Sequence, residues 1–414
     1  MHKISNKFIL GFYFLCYSSL IIGFYLNENS TGGAFLDYQN QNIIINFFVD
    51  DFYKTLLTYD QFSTRHSPVL LILISLLKKI EFSDIIIRLT YLHLNLLLPY
   101  FFYKILKTKF PSNKNFLYFL LSCVLFLSPT FRSLSVWPDS RILGLLLFTI
   151  SIFFYIKFEK RQKYKYAILN IIFYTLSSYI SPNFSVFSIF FVFKFFTTYR
   201  FSLKFIYIIL INVSLCAPAL IYLLSLESNF LFKSAVPGAS VDYNLWFNYS
   251  NKILCISTII VFYLIPFLAN NMVKINLQII SEKKYFFLTT IFLYLICLYY
   301  FNYQLEYTGG GIFFQASNKF FSNNYLFYFI SFLSILICNY LGAINKFNYV
   351  VLFLIILSNP QLTIYHKYFD PFLYIAFFSL FNLNINQKIL CSNKTIIFFY
   401  IFSAFFLIIS LLKS

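Results

Sequence analysis

From Phe8 to Leu412 the chain is a succession of apolar runs separated by short polar segments. Many of these runs approach the roughly 20 residues that an α-helix needs to cross a bilayer. In hydrocarbon every backbone N–H and C=O must be satisfied internally, which an α-helix does within one segment. Only 11% of residues are charged and 60% are hydrophobic, against about 25% charged in soluble domains. The expected fold class is therefore all-α: one polytopic membrane domain over residues 1–414, with no separate soluble domain.

Candidate spans are 8–26, 86–106, 115–128, 142–158, 166–180, 183–197, 205–224, 252–269, 284–301, 324–341, 349–359, 371–383 and 395–412. That is thirteen helices, or eleven if the shortest fail to cross. The first run follows Lys3 and Lys7 and has no small-x-small cleavage site, so an uncleaved first transmembrane helix is expected rather than a signal peptide.

The apolar segment 67–80 is too short to span, opens at Ser67-Pro68 and closes at Lys78-Lys79. Charge decides its placement. If 67–80 lies in the interface, 20 of the 32 Lys and Arg fall in inner loops, and ten acids fall outside. Were it to span, the basic loops after it would face outward, against the tendency of Lys and Arg to stay cytoplasmic. The reading is an N-terminus in the cytoplasm of a bacterial inner membrane. The segment 27–80 then forms an outer-face loop with interfacial helices within it. The net charge of +18 is accordingly a record of topology and not of nucleic-acid binding. The seven Cys show no CxxC or Cys/His spacing and read as small buried hydrophobes.

Against this apolar background the polar segment 28–66 stands out, with Glu28, Asp37, Asp50, Asp51 and Asp60. Asp37-Tyr38 follows the pair Gly32-Gly33, where a carboxylate near lipid can act as a general base or hold a metal–phosphate group. A solvated loop acid is the plainer reading. Asp50-Asp51 opens a helical stretch from Phe52 to Leu57 and reads as a cap. His66 can bind phosphate or shuttle a proton, and it has an equally ordinary structural reading. Arg88 lies in an apolar run, where a charge is costly and tends to be functional unless it snorkels. Asp139, in Trp137-Pro138-Asp139-Ser140-Arg141, stands at the mouth of the next helix and suits capping. His366 and Lys367 form a polar cluster able to grip a phosphate or diphosphate. Gly309-Gly310-Gly311 has no following GK[ST], so it is a lid or a connection rather than a phosphate loop. Tyr38, Trp137 and Trp246 are candidate platforms for sugar faces, although interface belts use the same residues.

The order of these elements resembles the GT-C superfamily of membrane glycosyltransferases, similar to the protein mannosyltransferase and aminoarabinose transferase type. The resemblance rests on Asp37-Tyr38, His66-Ser67-Pro68-Val69-Leu70, Ile85-Ile86-Ile87-Arg88, Pro138-Asp139 and Ser181-Pro182-Asn183, and covers about residues 1–200. It implies transfer, with inversion, of a sugar from a polyprenyl-phosphate carrier to a glycan, lipid or protein acceptor on the outer face. It assigns Asp37 the role of base or metal-associated residue and matches His66 to the start of the second loop helix and Arg88 to the start of the following span, both as candidate substrate-binding residues. A divalent metal ion is a possible cofactor by the same resemblance, with Asp37 as its ligand. The chain departs from the pattern in having Ser67-Pro68 where two prolines are frequent and no Asp-Glu pair beside Asp37. Two other readings fit a multispanning chain with lipid-linked substrates. A Wzy- or EpsG-like polysaccharide polymerase would place more Arg in its outer loops. A flippase or transporter of lipid-linked sugar would carry internal repeats and midplane charges.

Overall fold

A computed structural model describes residues 6–62, 64, 66–111, 115–225, 245–273, 285–305 and 309–413. Among them secondary structure is helical throughout, apart from an isolated bridge between Gly309 and Ile364. Six helices are long and apolar enough to cross a membrane: 84–109, 140–161, 203–224, 249–269, 325–344 and 393–413. A bent pair, 115–127 with 129–136, makes a seventh if it counts as one broken span. The chain thus has the make-up of a helical membrane protein. Several expected spans are shorter than predicted. The segment 371–383 holds a helix of only eight residues, and 183–197 divides into a 3₁₀ turn and a twelve-residue helix.

The chain forms two compact units. The first comprises residues 1–231 and 391–414. It contains α1 (Asn6–Tyr25), α2 (Ala34–Asp50), α3 (Phe52–Leu57), α4 (Pro68–Lys79), α5 (Asp84–Asn95), α6 (Leu97–Lys109), α7 (Asn115–Cys123), α8 (Pro129–Val136), α9 (Ser140–Arg161), α10 (Tyr164–Ile180), α11 (Ser188–Tyr199) and α12 (Leu203–Ser225). The C-terminal helix, Asn393–Lys413, returns to this unit: Tyr400 donates to the Leu120 carbonyl at 2.7 Å and its ring meets Phe12. The core of the unit is the α9–α10 pair with α6 beside it. It is filled by fully buried aromatic rings such as Phe148, Tyr155, Phe158, Phe187 and Phe191.

Local sequence explains most helix starts. Ser67, Ser83, Ser128 and Asp139 each accept a backbone N–H of the following turn, and Pro68 and Pro129 occupy first-turn positions where the missing N–H costs nothing. Asp51 accepts from the Lys54 N–H at 3.0 Å and starts α3 at Phe52, as expected of a cap. The twelve residues of α4 cover roughly 18 Å and cannot cross a bilayer.

Two segments expected as loops are helices. Residues 129–141 open with α8, which leaves the axis of the preceding helix at 65° and is buried along its whole length. Residues 34–50 of the polar segment after the first helix form α2, so Asp37 stands in the first turn of a seventeen-residue helix and not in a loop.

The second unit, residues 232–390, holds α13 (Leu245–Ala269), α14 (Phe286–Tyr299), α15 (Ile312–Phe321), α16 (Tyr325–Ile344), α17 (Lys346–Leu357), α18 (Phe372–Ser379) and α19 (Gln387–Leu390). The glycine run before α15 is packed. Gly309, Gly310 and Gly311 all have φ between +73° and +86°, and a Cβ on Gly309 would lie 2.5 Å from the Ile364 carbonyl oxygen. Only glycine fits there, because the backbone approaches 359–370 too closely for a side chain.

Candidate functional site

Asp37, Tyr38, His66, Arg88, Trp137 and Asp139, all singled out in the sequence, converge in the first unit around the junction between α8 and α9. The centre of the group is one that was not singled out, Arg141. Its Nη2 lies 3.9 Å from Asp37 Oδ2, and its Nε lies 3.8 Å from Asp139 Oδ1. The Asp37 side chain is one-third exposed, while those of Arg141 and Asp139 are largely covered. Asp37 is thus the accessible carboxylate and Asp139 the internal one.

Asp139 does what its position promised: its Oδ1 accepts the Arg141 N–H at 2.8 Å and caps α9. Its backbone is held by Tyr91 of α5. The Tyr91 hydroxyl donates to the Asp139 carbonyl and accepts the Asp139 N–H at 3.3 Å. Among the described residues Asp139 Oδ2 is buried without a hydrogen-bond partner.

His66 stands at the N-terminal side of α4. Its Nδ1 is 3.2 Å from the Ser140 hydroxyl, and its carbonyl accepts from Tyr59 at 2.8 Å. This contact ties the start of α4 to the start of α9.

The Arg88 guanidinium lies 3.7 Å from the centroid of a Trp137 ring and 4.9 Å from that of Phe24. Its Nε donates to the Val136 carbonyl at 3.1 Å and its Nη2 to Asn27 Oδ1 at 3.0 Å. A charge at this point of an apolar helix is stabilised by ring faces and carbonyl oxygens together. The side chain joins α5 to the end of α1 and to the α8–α9 junction.

Tyr38 and Trp137 differ from expectation. Each is only 5% exposed. Trp137 is enclosed by Phe35 at 4.8 Å, Tyr38 at 5.8 Å and Arg88, and its Nε1 donates to the Glu28 carbonyl. These rings support the site from within, and their faces are already taken up by protein. Burial pushes the Tyr38 phenol up to about 12. The side chain of Trp246 lies outside the described residues.

Below the site, Arg132 of α8 forms a buried pair with Glu28. The Nη2–Oε2 distance is 2.6 Å, Nε–Oε1 is 2.7 Å, and each side chain is 8% exposed. Arg132 also donates to the Ser19 hydroxyl and to the carbonyls of Ser19 and Phe126. This fork locks the end of α1, and with it the start of the segment leading to Asp37.

His366 and Lys367 belong to the second unit, on a 3₁₀ turn. The His366 ring packs against Phe262 at 5.3 Å and Tyr263 at 5.8 Å, and the Lys367 ammonium lies over Tyr365.

The described residues include no cluster of three or more His, Cys, Asp and Glu side chains suited to a metal ion. Next to Asp37 the positive charge is supplied by Arg141, which faces both carboxylates. A divalent ion bridging Asp37 and Asp139 would have to displace that guanidinium, so this pair does not suit one as arranged.

Arg141 and Tyr91 went unremarked as site residues in the sequence. Arg141 carries a signal in hindsight, standing two residues after a capping acid at the mouth of a long apolar helix. Tyr91 carries none, since it is one of 35 tyrosines. No significant match to this chain exists among protein-family models, characterised proteins or solved structures.

Proposed function

We propose that this protein is a GT-C-like membrane glycosyltransferase that moves a sugar from a polyprenyl-phosphate carrier to an acceptor hydroxyl on the outer face of the membrane. The observation that carries the reading is the one-third exposed carboxylate of Asp37, set against Arg141 in a site that also gathers His66, Asp139 and Arg88. In this reading Asp37 takes the proton from the acceptor hydroxyl. The acceptor oxygen forms a bond to the anomeric carbon as the bond to the carrier phosphate breaks, with inversion, and the electron pair leaves on phosphate. Arg141 sets a positive charge beside Asp37, and fixed cations stabilise the leaving charge. In the same reading His66, held by Ser140, donates a proton or hydrogen bond to the departing phosphate.

The charge pattern supports the sidedness: acids crowd the segment holding Asp37, while basic residues collect in the alternate loops. The short α4, packed on α2, suits an interfacial helix that roofs a lipid entrance. The test is incubation of the purified protein with a panel of polyprenyl-phosphate sugars, with mass spectrometry of lipid and glycan products. Release of polyprenyl phosphate coupled to a glycosylated acceptor is expected. Absence of transfer with every donor, alongside movement of labelled lipid-linked sugar across a proteoliposome membrane, would replace the transferase reading with a transporter.

A further inference from the structure

The apolar helix α12 carries a proline inside it, Pro218. Proline has no N–H to give the Ser214 carbonyl one turn back. One residue further on, a side chain enters the ladder. The Tyr179 hydroxyl, from the last turn of α10, donates to the Leu215 carbonyl at 2.8 Å and accepts the Ala219 N–H at 3.3 Å. Leu215 and Ala219 are the acceptor and donor of the next i→i−4 step. A proline and an inserted side chain are each a cause of bending in a helix, and here they occupy consecutive steps.

The two arms of α12 are held by different elements. Ahead of the break, the Phe205 ring meets Phe196 of α11 at 5.3 Å. Beyond it, the Tyr222 hydroxyl donates to the Leu56 carbonyl of α3 at 3.1 Å. The helix is otherwise lightly packed: 203–224 is the least buried of the six spans. The Tyr179 backbone carbonyl in turn accepts from the hydroxyl of Ser67, which caps α4 and follows His66. One tyrosine therefore touches both the break in α12 and the start of α4. A hydroxyl set between donor and acceptor can keep either bond as the step opens, so bending there leaves no polar group bare in hydrocarbon. We propose that α12 hinges at 214–219 on the Tyr179 hydroxyl, and that its C-terminal arm swings with α3 as a gate beside α4. What the gate admits, the lipid tail of a polyprenyl phosphate, rests on the proposed function; the hinge rests on the two altered ladder steps.

The experiment measures distances by pulsed electron spin resonance on the full chain in phosphatidylcholine nanodiscs, with all seven native cysteines replaced. A label on Lys160→Cys in α9 is paired with one on Leu224→Cys in the C-terminal arm, or with one on Tyr207→Cys in the N-terminal arm as the control. All three positions are exposed. The 160–224 distribution is expected to be wider than the 160–207 one. Pro218→Ala restores a ladder bond and should narrow the 160–224 distribution to the width of the control, with Pro218→Leu as substitute if that variant does not fold. Tyr179→Phe removes the pivot and should widen it. Addition of a short polyprenyl phosphate should shift the 160–224 distribution and leave the 160–207 one in place. A 160–224 distribution as wide in folded Pro218→Ala as in the parent overturns the hinge. Parent width in Tyr179→Phe overturns the pivot, and no response to the lipid overturns the gate. Because sugar transfer is not measured, a hinge that moves in a protein that transfers no sugar sinks only the proposed function.

Discussion

Asp37 Oδ2 and Arg141 Nη2 lie 3.9 Å apart, brought together from the first turns of two helices separated by more than 100 residues. The distance allows Coulomb attraction but leaves both groups without a tight hydrogen bond to one another. A carboxylate so placed has a cation beside it and remains one-third exposed.

Asp37→Asn keeps the side chain's shape while removing the proposed base and its charge. Loss of a general base typically costs about 10²- to 10⁴-fold in rate, roughly 3–5 kcal/mol of barrier. Steady-state transfer assays on the folded variant should find that loss. Asp51→Asn is the control: it weakens only a helix cap, at about 1 kcal/mol, and should leave turnover close to wild type. Wild-type transfer by Asp37→Asn would shift the role of base to Asp139.

Arg88→Lys tests the guanidinium rather than the charge. Lysine cannot donate at once to Val136 and Asn27 while lying over Trp137. A loss of about 1–2 kcal/mol in stability is expected from the weakened stacking and hydrogen bonds, read as a lower melting temperature in detergent. An unchanged melting temperature would mean that the Arg88 fork contributes nothing beyond its charge.

The Glu28–Arg132 pair makes a structural prediction. Glu28→Gln leaves a guanidinium that is 8% exposed without its counter-charge, which typically destabilises by about 3–5 kcal/mol. Glu28→Gln with Arg132→Met removes both charges, and thermal denaturation should show the double variant recovering much of the loss. Equal stability of single and double variants would refute the pairing.

Tyr38 gives a pH dependence whose sign follows from its burial. Its folded value, about 12, lies above the ordinary tyrosine value of 10.0, so folding favours the neutral phenol. The associated stability is fully present below pH 10 and is lost as pH rises towards 12. Tyr38→Phe removes a hydroxyl that is buried without a hydrogen-bond partner among the described residues. Its stability near neutral pH should match wild type, and the part of the alkaline loss between pH 10 and 12 that belongs to Tyr38 should vanish. A variant that loses stability in that window as steeply as wild type would assign the transition elsewhere.

Sidedness is open to direct measurement. Single cysteines at positions 37 and 161, in a background with all seven native cysteines replaced, should label from opposite faces of sealed vesicles. Labelling of both from one side would overturn the proposed topology.

Local chemistry made part of this protein legible from sequence alone. Long apolar runs fix an all-helical membrane protein, because hydrocarbon leaves the backbone no other way to satisfy its hydrogen bonds. Ser67-Pro68, Asp51 and Asp139 announce helix starts, because a cap acts only on its own next turn. The shortness of 67–80 is a matter of counting residues. Tertiary structure decided what depends on remote packing. Nothing near Ser128-Pro129 reveals that the following residues form a buried helix at 65° to its predecessor. Nothing in α5 reveals that the Tyr91 hydroxyl grips the backbone of Asp139, or that Arg88 lies against Trp137. Asp37 carries its charge wherever it sits, but its neighbourhood with Arg141 exists only because α2 and α9 begin at the same place in the folded chain. Sequence specifies which groups can act and how each helix begins; burial and proximity are properties of the assembled unit, and they alone separate an accessible carboxylate such as Asp37 from an internal one such as Asp139.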